Sequence, residues 1–217
     1  MFASALALLA AFFLALFVLG VIEYAYRRIG ISEGALFALV WLSLIGGFVN
    51  LPVGRLHGQA TVGVEEVVAF GIRYRVPIVR RPMPTILAVN IGGALIPAGL
   101  SLYLLINDDI WWQCAIGVAF VTIAVHAVAR PVAELGIAVP ALVPPLLAAS
   151  IALLVAPTAT AAVAYASGSL GTLIGGDLLN LRRLRELGAG VASIGGAGTF
   201  DGIFLSGVMA VALVGLA

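Results

Sequence analysis

The sequence predicts an all-α polytopic membrane protein. About seven transmembrane helices make one membrane domain over 1–217, with a small cytoplasmic β-like insertion at 54–84. Three observations lead there. The chain is 63% apolar and 10% charged, where soluble domains carry about 25% charge. That much apolar surface exceeds what a small globule can bury, so lipid is the expected solvent. The apolar residues fall in runs of membrane-crossing length, separated by short polar turns. The basic residues, all arginine, crowd into alternate connections.

The same composition narrows function. A formal charge of +1 gives no reason to expect nucleic acid as a partner. The single Cys114 excludes an internal disulfide and a cysteine-based metal cage. His57 and His126 lack ligand-like spacing, so neither a metal nor a cofactor is expected.

Taken in order, Phe2 to Ile22 is an uninterrupted apolar run without a basic leader, expected to be retained as the first span. Glu23 to Glu33 is a polar loop carrying Arg27 and Arg28, and Ser32-Glu33 can cap the second span, which runs to about Pro52. Between Gly54 and Pro84, aromatic and β-branched residues alternate with Arg73 and Arg75 from Phe70 to Ile78. That period of two indicates strand, as a hairpin turning near Gly71 or as two extended arms. Pro77, Pro82 and Pro84 restrict it to an edge. It serves either as an amphipathic cap on the membrane surface or as a strand that docks substrate.

The third span, Thr85 to Ile106, contains Asn90, Gly92-Gly93 and Pro97. After the acidic turn at 107–109, Trp111 and Trp112 suit an interfacial belt at the start of the fourth span, which holds Thr122 and His126 and ends at Ala129. Arg130 and Glu134 make a solvated pair in the next connection. The fifth span runs from Pro140-Ala141-Leu142 to Pro157, and Pro144-Pro145 predicts a kink or a loop at membrane depth. The sixth, Thr158 to Leu181, is rich in Ala, Gly and Ser, which suits close helix packing. The seventh is about Val191 to Ala217.

Nine of the arginines lie in the connections after spans two, four and six. That bias predicts a multi-pass protein of the cell membrane with a cytoplasmic N-terminus and an outer C-terminus; Arg27 and Arg28 stand as the exception. Asp177 then lies near the cytoplasmic face, and Asp201 roughly 15 Å deeper along a straight helix.

Leu44-Ile-Gly-Gly-Phe-Val-Asn-Leu resembles Leu173-Ile-Gly-Gly-Asp-Leu-Leu-Asn, and Asn90-Ile-Gly-Gly-Ala resembles Ser193-Ile-Gly-Gly-Ala. Each pair lies four spans apart, so the repeat is parallel, with 54–84 inserted in its first copy. Phe48 and Ala98 then occupy the places of Asp177 and Asp201, confining both carboxylates to one copy.

An ionisable group inside a span costs about 2.5–3.5 kcal/mol on insertion scales and is a functional hypothesis by default. Two carboxylates within a few ångströms share a proton, one acting as base toward water and the other as acid toward a carbonyl. Glycines before each Asp permit close approach and predict a break that leaves Asp201 at the start of a half-helix.

Gly196-Ala-Gly198-Thr-Phe-Asp201-Gly-Ile-Phe is similar to the Gly-x-Gly-Asp-(x)-Ile-Phe signature of presenilin-type intramembrane aspartyl proteases. Those enzymes carry their aspartates on two consecutive spans and a Pro-Ala-Leu motif near the site, here Pro140-Ala141-Leu142. The pattern differs in that Thr199-Phe200 precede Asp201, the first aspartate follows Gly-Gly, and Pro-Ala-Leu comes before the aspartates. The resemblance implies a hydrolase acting on a membrane-embedded peptide. Asp177 and Asp201 would be its catalytic pair, with Gly196, Gly198 and Pro140 to Leu142 against the substrate. As a whole the chain resembles a prokaryotic domain-of-unknown-function family of small polytopic membrane proteins, which implies no activity.

Two alternatives stand beside the hydrolase. A cation- or proton-coupled transporter or channel would use Asn90, Asp177, Asn180 and Asp201 at the helix breaks. A non-catalytic scaffold would pair Asp177 with Arg182 and use Asp201 to cap a half-helix. An oligomer is compatible with all three.

Overall fold

The computed structural model describes residues 18–56, 61–69, 72–80, 85–132, 136–186, 191–196 and 200–217. It is mostly helical. The helices are α1 (18–28), α2 (Glu33–Gly46), α3 (Ile96–Asn107), α4 (Trp111–Val128), α5 (Val143–Val155), α6 (Thr160–Thr172), α7 (Leu181–Glu186) and α8 (Phe200–Val214). Most of the expected first span lies outside the described residues.

Helix α6 is the axis of the bundle, packed by α3, α4, α5 and α8. Its run from Ala162 to Ser169 is buried throughout, because alanine, serine and glycine leave room for neighbours on every side. The approach is close. A Cβ added at Gly168 would lie 2.8 Å from the Ser206 carbonyl oxygen, and one at Gly171 would lie 2.6 Å from Val121 Cβ. The outer surface is the reverse of a soluble bundle's: Phe37, Leu44, Ile106, Trp112, Ile123 and Leu154 are exposed, while Asn90, Ser101, Ser169, Thr172, Asp177 and Asn180 are buried.

The chain is mostly helical as expected, and two points refine the expectation of about seven spans with one β-like insertion. First, among the described residues α4 alone is both long and apolar enough to cross a membrane by itself; the other apolar helices are shorter. The glycine-rich segments consume the difference. Thr85–Asn90 is strand β4 and leads through a π-helical turn (Ile91–Leu95) into α3. Helix α6 stops at Thr172 and continues as a π turn (Leu173–Asp177) and a 3-10 turn (Leu178–Asn180). Val191–Ile194 is a strand before α8 begins.

Second, small sheets are present. With β1 (Asn50–Leu56), β2 (Thr61–Ala69), β3 (Ile72–Arg80), β5 (Arg130–Val132), β6 (Gly136–Ala138) and β7 (Val191–Ile194), the orders are β1-β4-β7, β2-β3 and β5-β6. The insertion is a hairpin: β2 and β3 pair antiparallel with Ala69 opposite Ile72. Its base is β1 paired antiparallel with β4, with a shift between Pro52 and Gly54 where an edge strand tolerates proline. Strand β7 joins the other side of β4 in parallel, Ile86 opposite Val191 and Val89 opposite Ile194. Parallel strands need a long crossover, and here it is most of the bundle.

Pro144 and Pro145 cause no kink within a span. They sit in the first turn of α5, where a missing N–H goes unnoticed. Ser32 holds the N-cap position of α2 but makes no capping bond; Glu33 supplies the favourable charge in the first turn.

Candidate functional site

The segments around Gly46, Asn90, Asp177 and Gly195, which the sequence pairs as similar, meet at the end of the bundle that carries the sheet. In the first half, α2 ends at Gly46-Gly47 and lies against Gly92. A Cβ at Gly92 would be 2.0 Å from the Ser43 carbonyl oxygen and 2.4 Å from the Gly47 nitrogen, so the backbones touch only because that position is glycine. Asn90 holds this contact. It is 1% exposed. Its Oδ1 accepts from the Gly93 N–H at 2.8 Å, capping the π turn, and its Nδ2 donates to the Gly47 carbonyl at 2.7 Å and to Asn50 Oδ1 at 3.1 Å. One side chain thereby satisfies backbone groups that two interrupted elements leave open.

In the second half, the turns after α6 bury Asp177, 3% exposed, and its Oδ2 accepts from the Gly195 N–H at 2.7 Å. Gly195 follows the last paired residue of β7 and has φ +68°, a left-handed conformation that suits glycine. A Cβ there would lie 2.7 Å from the Gly93 carbonyl carbon and from Ala94 Cβ, so Gly195 rests directly on the Gly93-Ala94 backbone. Asn180 Nδ2 donates to the carbonyls of Gly175 (2.8 Å) and Gly176 (2.9 Å), while its buried Oδ1 has no partner among the described residues. The Ser193 hydroxyl donates to Asn50 Oδ1, the same atom that accepts from Asn90. Asn50, Asn90 and Ser193 thus form one hydrogen-bonded cluster, and Asp177 is bonded to the Gly195 N–H two residues beyond Ser193; together they are the polar seam. It reaches the surface at Asn50, which is exposed.

The predicted site residues fall unequally around the seam. Asp177 and Asn90 are in it. Gly196 is buried beside it, its N–H donating to the Ser193 carbonyl at 3.1 Å. The backbone of Asp201 lies in the first turn of α8; its side chain, like Gly198, lies outside the described residues. Pro140, Ala141 and Leu142 form the exposed turn before α5. The preceding Val139 contacts the position of Gly176, 3.6 Å from where its Cβ would be, so the motif flanks the turn that holds Asp177. Glu134 lies outside the described residues, and His126 Nδ1 is buried with no partner among them. Sequence reasoning missed Asn50 and Ser193 as site residues. The similarity of the segments contained a signal, since Ser193 aligns with Asn90 and Asn50 closes the first Leu-Ile-Gly-Gly segment.

Chemically, the seam presents amide and hydroxyl oxygens and one desolvated carboxylate, at a level where helices are interrupted. Such a set can bind a small cation, carry a proton, or hold two chain segments together. A separate cleft of about 720 Å³ opens at the far end of the bundle, lined by Arg28, Asp108, Thr158, Thr160 and Val214 among others.

No curated protein and no solved structure matches the chain. A family model described as a protein of unknown function (DUF1614) matches residues 44–213. The match opens at the first Leu-Ile-Gly-Gly and closes within α8, taking in both halves of the seam; the chain belongs to the DUF1614 family.

Proposed function

We propose that this is a multi-pass membrane protein that binds and passes a small cation or a proton at the seam between its two repeat halves. One observation carries the reading: two buried polar side chains, Asn90 and Asp177, each sit at one end of a π turn that adjoins a helix. Interrupted helices at matching points of a repeat are how many transporters build an ion site. The exposed apolar exterior supports a lipid environment.

Orientation follows from charge, with the N-terminus cytoplasmic and the C-terminus outside. The sheet, β5-β6 and α7 gather at one end, where Arg183 donates to the Ala129 carbonyl at 3.4 Å. At the opposite end Arg27 is bracketed by Glu23 and Glu33, each at 2.8 Å, and Arg28 lies over the Tyr24 ring.

The test is flux in vesicles of reconstituted full-length protein. Asp177→Asn and Asn50→Ala are expected to lower cation or proton flux, and unchanged flux in Asp177→Asn would end the transport reading.

A second reading, the aspartyl hydrolase with Asp177 and Asp201 as its pair, draws on one further observation. Asp177 is bonded to Gly195, and the first turn of α8 that carries Asp201 begins only a few residues later. Here Asp201→Asn abolishes cleavage of a reporter span. A preparation that cleaves no such span, wild type included, removes this reading.

A further inference from the structure

Where α4 ends, the chain turns back through β5 and β6, and the two faces of that short pair differ. Arg130 lies opposite Ala138, and Pro131 opposite Ile137. Neighbouring residues on a strand face opposite ways. Ile137 goes into a small apolar cluster with Ala129 and Ala192, so Arg130, Val132 and Ala138 turn away from it. Those three, with Ala127 and Val128 from the end of α4 and Val139 from the approach to α5, line a groove of about 650 Å³. Its size suits a small molecule. It opens outward, since Ala127, Arg130 and Ala138 are exposed.

The lining is apolar except for the one guanidinium. A second arrives from α7, where Arg183 donates to the carbonyl of Ala129, the residue before Arg130, at 3.4 Å. Neither arginine has an ion pair among the described residues. At the other end of the bundle Arg27 is held by Glu23 and Glu33, each at 2.8 Å. Arginine's planar fork matches phosphate oxygens. Two such cations at the mouth of an apolar groove fit an amphiphile with an anionic head and a hydrocarbon tail. A small free anion has no use for the groove, and a plain apolar chain has none for the arginines.

The level agrees. Helix α4 is long enough to cross a bilayer, and Arg130 comes two residues after its end at Val128. In the placement proposed above, that is the cytoplasmic edge of the hydrocarbon, where lipid phosphates lie and basic residues attract anionic lipids.

We infer that the groove between α4 and the β5-β6 pair binds one anionic phospholipid, its phosphate on Arg130 and Arg183 and the upper part of an acyl chain along Ala127, Val132 and Val139. The same groove backs onto the seam: Val139 lies 3.6 Å from where a Cβ on Gly176 would be, and Gly176 precedes Asp177. The inference rests on the membrane placement and not on the passage of a cation.

Native mass spectrometry tests it, on the full chain extracted in mild detergent and titrated with dioleoyl phosphatidylglycerol or dioleoyl phosphatidylcholine. One phosphatidylglycerol is expected to be retained in preference to phosphatidylcholine and to raise the melting temperature. Arg130→Gln and Arg183→Gln should each weaken that binding about fivefold, and Arg130→Lys should keep most of it. Arg130 bonds to nothing among the described residues, so without lipid Arg130→Gln should melt like wild type. Ala127→Trp fills the groove from an exposed position on α4 while keeping both charges, and should lose the lipid as well. Equal retention of the two lipids, or binding unchanged in Arg130→Gln, overturns the site and leaves Arg130 to Glu134. Inorganic phosphate that stabilises the chain as well as phosphatidylglycerol does makes this a small-anion site and overturns the lipid. A chain recovered from the soluble fraction of lysed cells removes membrane placement and lipid together. One recovered from membranes without a lipid preference removes the lipid alone.

Discussion

Asn90 and Gly92 show how much of the molecule depends on single atoms at the repeat junction. Asn90→Ala would strand the Gly93 N–H and the Gly47 carbonyl in a buried position. At about 1–3 kcal/mol for each unsatisfied group, it is expected to lower the denaturation midpoint in detergent substantially. Gly92→Ala sets a methyl against the backbone of α2, which cannot rotate aside as a side chain would; overpacking of this kind costs about 1–3 kcal/mol. Gly99→Ala is the control. It lies on an exposed face within α3 with nothing near its would-be Cβ, and should be neutral or stabilising by about 0.5–1 kcal/mol. Thermal melts of the three variants check the contrast, and a Gly92→Ala that melts like Gly99→Ala would contradict the close approach. Asn90 and Asp177 were legible in the sequence because polar residues inside apolar runs stand out. Asn50 was not. It is an exposed asparagine at the start of a strand, and what gives it a role is a serine 143 positions away.

At the level of elements, local pattern was readable and long-range pairing was not. Strand β3 was readable through period-two alternation from Phe70 to Ile78, while its pairing with β2 as a hairpin was one of two arrangements the sequence left open. Strand β4 was not readable: Thr85-Ile-Leu-Ala-Val-Asn is a short continuous apolar run, which periodicity cannot separate from the opening of a helix. What makes it a strand is its place between β1 and β7, the latter about a hundred residues on. The junction of β4 and β7 depends in turn on the left-handed Gly195. Gly195→Ala adds backbone strain of about 1–2 kcal/mol and forces a methyl against Gly93 and Ala94. The consequence should be local. Amide exchange at 86–89 and 191–194 is expected to accelerate while the interior of α6 keeps its protection. Uniform acceleration across α6 would mean that the junction and the bundle unfold as one unit.

The described bundle exposes many large apolar side chains and buries several polar ones within an apolar core, and that surface makes placement in a bilayer testable. Helix α4 rises about 27 Å over its eighteen residues, close to the roughly 30 Å of a hydrocarbon core. On the proposed membrane reading the shorter helices would complete a crossing through the π turns and the first residues of the strands, which puts the sheet at one interface and the 108–110 turn at the other. The single native cysteine is buried and can be replaced, leaving a background for reporter thiols. Asp108→Cys lies at the far end, beside the cleft lined by Arg28 and Thr158; Gly54→Cys lies on exposed β1 at the sheet end, with open space where its side chain would go. A membrane-impermeant maleimide applied to intact cells should label the first and spare the second until the membrane is opened. Labelling of Gly54→Cys alone would reverse the orientation and place Asp177 near the outer face. Labelling of both in sealed cells would mean that the two ends share one side, and a bundle whose connections alternate between its ends could not then be crossing the bilayer at all.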